Sequence, residues 1–209
     1  MITIALAKGR LTNMELLKKM GLDVSEIEKE SRKLVFTDEK SDVRFLMVKP
    51  TDVPVYVDHG VADIGIAGKD SLLEAGLPLY EMLDLKYGAC NICVCGYEDG
   101  KKDSITSGML RVATKYPRIA KRFYDRKGEN IEIIKLNGSI ELAPVLGLSD
   151  VIVDIVESGR TLKENGLSVL EKVVAISARM VVNSVSLKTK ADEIAPLIEK
   201  AKKAVEEGL

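Results

Sequence analysis

The sequence predicts an α/β protein of two lobes, and three observations carry that reading. Short apolar strand-like runs alternate with helical ones from the first residues, the alternation starts afresh near residue 87, and one further strand and helix are left over at the end. With 209 residues, 46% apolar and 30% charged, the chain can bury one large core or two small ones. Two successive sets of β/α units with a remainder mean that the chain leaves its first lobe and returns to it. Lobe one is placed at residues 1–87 plus 174–209 and lobe two at 88–173, with the active site expected in the cleft between lobes.

Residues 2–7 read as a strand and 12–20 as a helix, with Thr12 and Glu15 at capping-box spacing. Strands follow at 33–36 and 43–48. Asp52 is a capping residue for a helix over 53–59, whose Pro54 lies in the first turn, where proline is tolerated. The glycines of the strand at 62–68 allow close backbone approach, and the helix at 70–75 stops at Gly76. In the second set, a strand at 90–97 leads through a polar loop, 98–107, to a strand at 110–114. A basic amphipathic helix at 117–127, a strand at 131–136, a short helix at 140–146 and a buried-looking strand at 151–156 come next, and another β/α unit closes the set. The last third holds an apolar stretch, 173–182, and a charged amphipathic helix, 190–207, with a kink expected at Pro196.

Charge excludes two function classes. Thirty-one basic residues against 32 acidic ones leave a net charge of −1, with no basic excess for nucleic acid and no tail suited to anionic lipid. No apolar run reaches the ~18 residues of a membrane span, and the N-terminal apolar run is too short for an export signal. A cytoplasmic protein is expected, and any anion it binds must be met locally. Cys90, Cys93 and Cys95 invite a metal or redox reading. With one histidine, His59, and no second cysteine cluster, a four-ligand zinc site is incomplete, so the three are read as small core residues and no metal ligands are assigned.

The segment that carries chemistry runs from Ile152 to Leu162, an apolar strand emptying into a small-residue turn and then a helix. Outward-pointing N–H groups at a helix start, with the hydroxyls of Ser158 and Thr161, suit a phosphate, and Gly159 lets the backbone come close. Asp154 and Glu157 are placed to accept hydrogen bonds from a ribose diol. The segment ends in no Gly-Lys-Ser/Thr and lacks the spaced glycines of a dinucleotide loop. Taken alone, it is equally an acidic strand end before an ordinary cap. A second constellation, Lys8, Gly9 and Arg10, surrounds a glycine with two cations before a helix, and Arg32, Lys49 and Lys69 also stand near strand ends.

These segments, together with 31–34, 52–54, 63–70 and 136–144, resemble motifs of the ATP phosphoribosyltransferases, in the same order and over essentially the whole chain. The resemblance implies lobes like those of type II periplasmic binding proteins. It implies attack of adenine N1 of ATP on the anomeric carbon of phosphoribosyl pyrophosphate (PRPP), with loss of pyrophosphate, at the start of histidine synthesis. The PRPP site is then expected at Asp154, Glu157, Ser158, Gly159, Arg160 and Thr161 with Glu141 as a second acceptor. Arg10 and Arg32 are expected to neutralise the leaving pyrophosphate, and Lys8, Gly9, Lys49 and Asp70 to hold nucleotide or pyrophosphate. Mg²⁺ is expected to arrive on the substrate pyrophosphate. With 209 residues the chain resembles the short form, which implies a homodimer core and a regulatory partner related to histidyl-tRNA synthetase in a hetero-octamer. Two rivals remain: a non-catalytic two-lobe sensor of small anions, and a different phosphoribosyltransferase. The three-residue spacing of Asp154 and Glu157 disfavours the second, whose type I members carry adjacent acids.

Overall fold

The structure, a computed structural model, describes residues 1–9, 12–29, 32–98 and 108–208. It divides into two compact units, Met1–Gly88 with Ser177–Leu209, and Ala89–Ile176.

In the first unit the strands β1 (Ile2–Ala7), β2 (Val35–Asp38), β3 (Val43–Val48), β4 (Ile64–Gly68) and β5 (Tyr80–Asp84) lie in one sheet with the returning β11 (Ala178–Val182), in the order β2-β3-β1-β4-β11-β5. The helices are α1 (Met14–Lys19), α2 (Val53–Asp58), α3 (Lys69–Ala75), α7 (Ser186–Thr189) and α8 (Ala191–Glu206). Strand alternation sorts side chains by size. Ile4, Leu6, Ile64, Ile66 and Met180 pack with Leu16 and Leu17 of α1 and Ile194 and Leu197 of α8. Ala5, Ala7, Ala67 and Val181 meet Val53 and Val57 of α2. The small face lets α2 come close: a Cβ on Gly65 would lie 2.7 Å from Val57 Cγ2 and 2.9 Å from Val53 Cγ1.

The second unit holds β6 (Cys90–Gly96), β7 (Leu110–Thr114), β8 (Ile131–Lys135), β9 (Val151–Val156) and β10 (Ser168–Ile176), in the order β10-β6-β9-β7-β8, with α4 (Pro117–Lys127), α5 (Leu142–Val145) and α6 (Arg160–Glu164). Strands β8, β7 and β9 are parallel, with β7 beside β9 at Val112↔Val151, Ala113↔Ile152 and Thr114↔Val153. One face packs Cys93, Cys95, Ala113 and Ile152 against Ile140, Ala143 and Leu162.

Several local expectations change. Asn13 caps α1, its Oδ1 accepting from Leu16 N at 3.0 Å, while the Thr12 hydroxyl donates to Ala7 O; no capping box forms. Asp52 makes no side-chain cap bond to α2; its carboxylate accepts from Thr51 Oγ1 at 3.1 Å. Strand β2 is shifted towards Asp38, whose buried carboxylate accepts from the amides of Asp23, Lys40 and Ser41 and so anchors the turn. Strand β5 had no expectation because, on the sheet edge, Tyr80 and Met82 stay exposed and no apolar alternation marks it. The return between units falls at 176/177 rather than 173/174, because β10 stays paired with β6 as far as Ile176↔Cys90. Of the polar loop at 98–107, residues 99–107 lie outside the described residues.

Candidate active site

In the second unit, the carboxyl end of β9 carries Asp154, and the turn beyond it reaches α6 through Gly159, whose φ of 71° is left-handed. The nearest atom to a Cβ there is Val156 Cγ1 at 3.9 Å, so the need for glycine is one of backbone conformation rather than space. Lys163 N donates to Gly159 O at 3.2 Å, and Arg160 N lies 3.4 Å from Ser158 Oγ. The Arg160 guanidinium donates to Glu164 Oε1 at 2.8 Å along the exposed side of the helix. A cavity of about 230 Å³ opens at this turn, and Glu141, Asp154, Glu157, Ser158, Gly159 and Thr161 all line it. Carboxylates that accept from hydroxyls thus stand beside hydroxyls and leading N–H groups that donate to an oxyanion. Helix α6 is only five residues long, so its dipole is small and direct hydrogen bonds must supply most of the grip.

The Asp154 carboxyl is pushed above the usual carboxylate range, first by burial and further by the neighbouring Glu141, while a bond from Ile155 N at 2.8 Å and the charge of Lys115 oppose the rise. Burial also pushes the Cys95 thiol up to about 12, with Cys93, Asp154 and Glu141 adding to it. Cys93 is likewise raised by burial, and none of the three cysteines is in a disulfide. Burial that disfavours the thiolate makes these thiols weak nucleophiles, and among the described residues no three His, Cys, Asp or Glu side chains gather in a metal-binding group.

The first unit collects the expected cations by topology. Parallel pairing sets Ala7 beside Val48 and Leu6 beside Ile66, so Lys8, Lys49 and Lys69 follow the carboxyl ends of three neighbouring strands. Arg32 precedes β2 at the same end, where Met47 N donates to Leu34 O at 2.8 Å. Lys8, Arg32 and Lys49 are exposed, and Gly9 is left-handed at φ 102°. Lys69 is ion-paired with Glu81, which also takes the Arg179 guanidinium at 3.2 Å. Asp70 is half-buried in the first turn of α3. Arg10 lies outside the described residues.

Residues 49–203 match the family model for HisG, ATP phosphoribosyltransferase. The chain belongs to the ATP phosphoribosyltransferase family. It is 54% identical to the ATP phosphoribosyltransferase of Lachnospira eligens over 209 residues, covering 98% of this chain and 97% of that protein. It is 51% identical to that of Caldanaerobacter subterraneus subsp. tengcongensis, covering 99% of each. Among solved structures, a chain of the ATP phosphoribosyl transferase HisG:HisZ complex from Thermotoga maritima superposes with a TM-score of 0.85 at 40% identity, covering 99% of this chain and 98% of that one. The periplasmic aliphatic sulphonate binding protein SsuA from Escherichia coli matches with a TM-score of 0.59 at 13% identity, covering 98% of this chain and 72% of that one. That second likeness concerns the fold alone, and the two-unit α/β architecture is the type II binding-protein one.

Lys115 escaped the sequence reading, whose candidate cations, Arg160 apart, all lie in the first lobe. Its signal was there: a lysine directly after a strand and two residues before Pro117, which opens the next helix.

Proposed function

We propose that the cavity at the end of β9 binds the phosphoribosyl group of PRPP. The 5-phosphate lies on the turn 157–161, and the ribose hydroxyls donate to Asp154, with Glu141 as the second acceptor. The chain is an ATP phosphoribosyltransferase, and the observation that carries this placement is that acceptors and donors matching a sugar phosphate line one cavity of about 230 Å³ in a member of that family.

In the reaction, adenine N1 of ATP forms a bond to the anomeric carbon of PRPP as the bond from that carbon to the pyrophosphate oxygen breaks. Pyrophosphate departs with the electron pair, and the configuration inverts. The carbon gains oxocarbenium character, so holding the ribose and offsetting charge on the leaving group are the protein's main tasks. A carboxylate at Asp154 fixes the ring through its hydroxyls and adds negative charge near the developing cation. Arg32 and Arg10 are assigned to the departing pyrophosphate, Arg10 on its sequence position alone. Lys8, Gly9, Lys49 and Asp70 are assigned to nucleotide or pyrophosphate at the carboxyl ends of the strands, where α/β sheets bind ligands. Mg²⁺ carried by the pyrophosphate would offset charge on the leaving group, a role that needs no cage of protein carboxylates.

The solved relative is a complex of HisG with HisZ. We extend that association to this chain: a homodimer core joined by a regulatory subunit related to histidyl-tRNA synthetase in a cytoplasmic hetero-octamer, committing ATP to histidine synthesis. The test is to mix the purified chain with ATP, PRPP and Mg²⁺, with pyrophosphatase to draw the reaction forward, and follow the near-ultraviolet change of N1-substituted adenine with and without that subunit. A change that requires both substrates is expected. Turnover with wild-type constants in Asp154→Asn would overturn the placement of the ribose.

A further inference from the structure

Strand β7 ends beside Asp154. Its last residue, Thr114, is fully buried and held at both ends of its hydroxyl, which donates to Val153 O at 2.6 Å and accepts from Tyr116 N at 2.8 Å. The Thr114 carbonyl in turn accepts from Leu136 N at 3.0 Å. Because Thr114 and Val153 are partners in a parallel pair, the residues that follow them, Lys115 just past the end of β7 and Asp154 in β9, are laterally adjacent. We infer that Lys115 is a counter-charge that favours the carboxylate form of Asp154, the form that accepts from both ribose hydroxyls, which makes it a positioning residue for the phosphoribosyl group.

The groups that face Asp154 leave Lys115 this role. From β6 come Cys93, its register partner, and Cys95, both held as neutral thiols by burial. Glu141, just before α5, and Glu157, beyond the end of β9, line the same cavity and are acidic. Arg160 of α6 lines it too, but its side chain is 84% exposed and paired with Glu164. Among the described residues, Lys115 is the cation whose charge favours ionised Asp154. Its ammonium is exposed, 5.9 Å from the Tyr116 ring centroid, so it exchanges with water and exerts a moderate field rather than a buried ion pair.

The inference rests on the ribose reading of Asp154, and the test separates the two. PRPP affinity, by calorimetry with Mg²⁺, and kcat/KM for PRPP are followed against pH for the wild type, Lys115→Met, Lys115→Arg and Asp154→Asn, with the regulatory subunit present wherever turnover requires it. Lys115→Met should move the acid limb of both profiles up by about half a pH unit or more, and Lys115→Arg should restore it. A merely structural lysine would lower affinity equally at every pH. Superimposable profiles for Lys115→Met and the wild type, or an Arg variant no better than Met, would overturn the counter-charge role while Asp154→Asn still weakened PRPP binding. Unchanged PRPP affinity in Asp154→Asn would instead remove the ribose reading, and the inference with it.

Discussion

Two aspartates at strand ends, one in each unit, are treated in opposite ways. Asp63, just before β4, is buried and fully engaged: its carboxylate accepts from Thr3 N at 2.9 Å, from Ser186 Oγ at 2.7 Å and from Lys190 Nζ at 2.9 Å. Burial pushes its carboxyl up, but the bonds from Ser186, Thr3 and Lys190 outweigh that, and it titrates below the usual range. Asp154 has one backbone donor, an acidic neighbour and a cavity in front of it, and is pushed upward. A buried carboxylate with a full set of partners stabilises a fold, whereas one facing a cavity with few partners has capacity left to accept from a ligand.

The comparison breaks most sharply at Asp63. Replacing it with Ala leaves Lys190, Ser186 and Thr3 without their acceptor and should cost about 3 kcal/mol, read from the urea midpoint. Asp154→Asn should instead lower kcat/KM for PRPP about 100-fold, which is about 2.7 kcal/mol of transition-state stabilisation, with an unfolding midpoint equal to or above that of the wild type. An equal loss of stability in both variants would show that the contrast between them is false.

pH sharpens the same contrast. Since the folded Asp63 carboxyl lies below its unfolded value, its stabilisation is present above the ordinary carboxylate range and is lost as pH falls through the lowered folded value. Asp154, raised in the fold, has the opposite sign: lowering the pH through its folded value favours the folded state. The stability gap between wild type and Asp63→Asn should therefore shrink in acid, while any gain in Asp154→Asn should vanish there. Urea titrations at several pH values read both. The smallest expected effect is at Gly159, where an Ala side chain in a left-handed turn should cost about 1 kcal/mol. The accompanying loss of PRPP affinity should exceed the loss of stability if, as proposed, the turn carries the phosphate donors.

Asp154 and the turn 157–161 were legible in the sequence because a strand, a small-residue turn and a helix are contiguous, and local order alone juxtaposes their donors and acceptors. The cations of the first unit were legible only as separate residues: Lys8, Arg32, Lys49 and Lys69 become one rim through the pairing of β1, β3, β4 and β2. Lys69 also shows why cations in sequence overcount free ones, since Glu81 on the edge strand β5, which had no apolar signature, already engages it. Lys115 went unseen for a related reason. Its proposed role rests on the parallel register of β7 with β9, between residues 39 apart in the chain.

The sequence by itself determined the alternation of strands and helices, the size-sorted faces of the first sheet and the chemistry of the β9 turn, because each depends on residues close in the chain and on the periods of strand and helix. Tertiary structure decided which charges stand free and which are engaged. It made Asp63 a structural anchor and left Asp154 open, and it set Lys115 beside that open carboxylate. Those outcomes depend on strand order, register and burial, which arise from long-range packing and leave no local pattern to read.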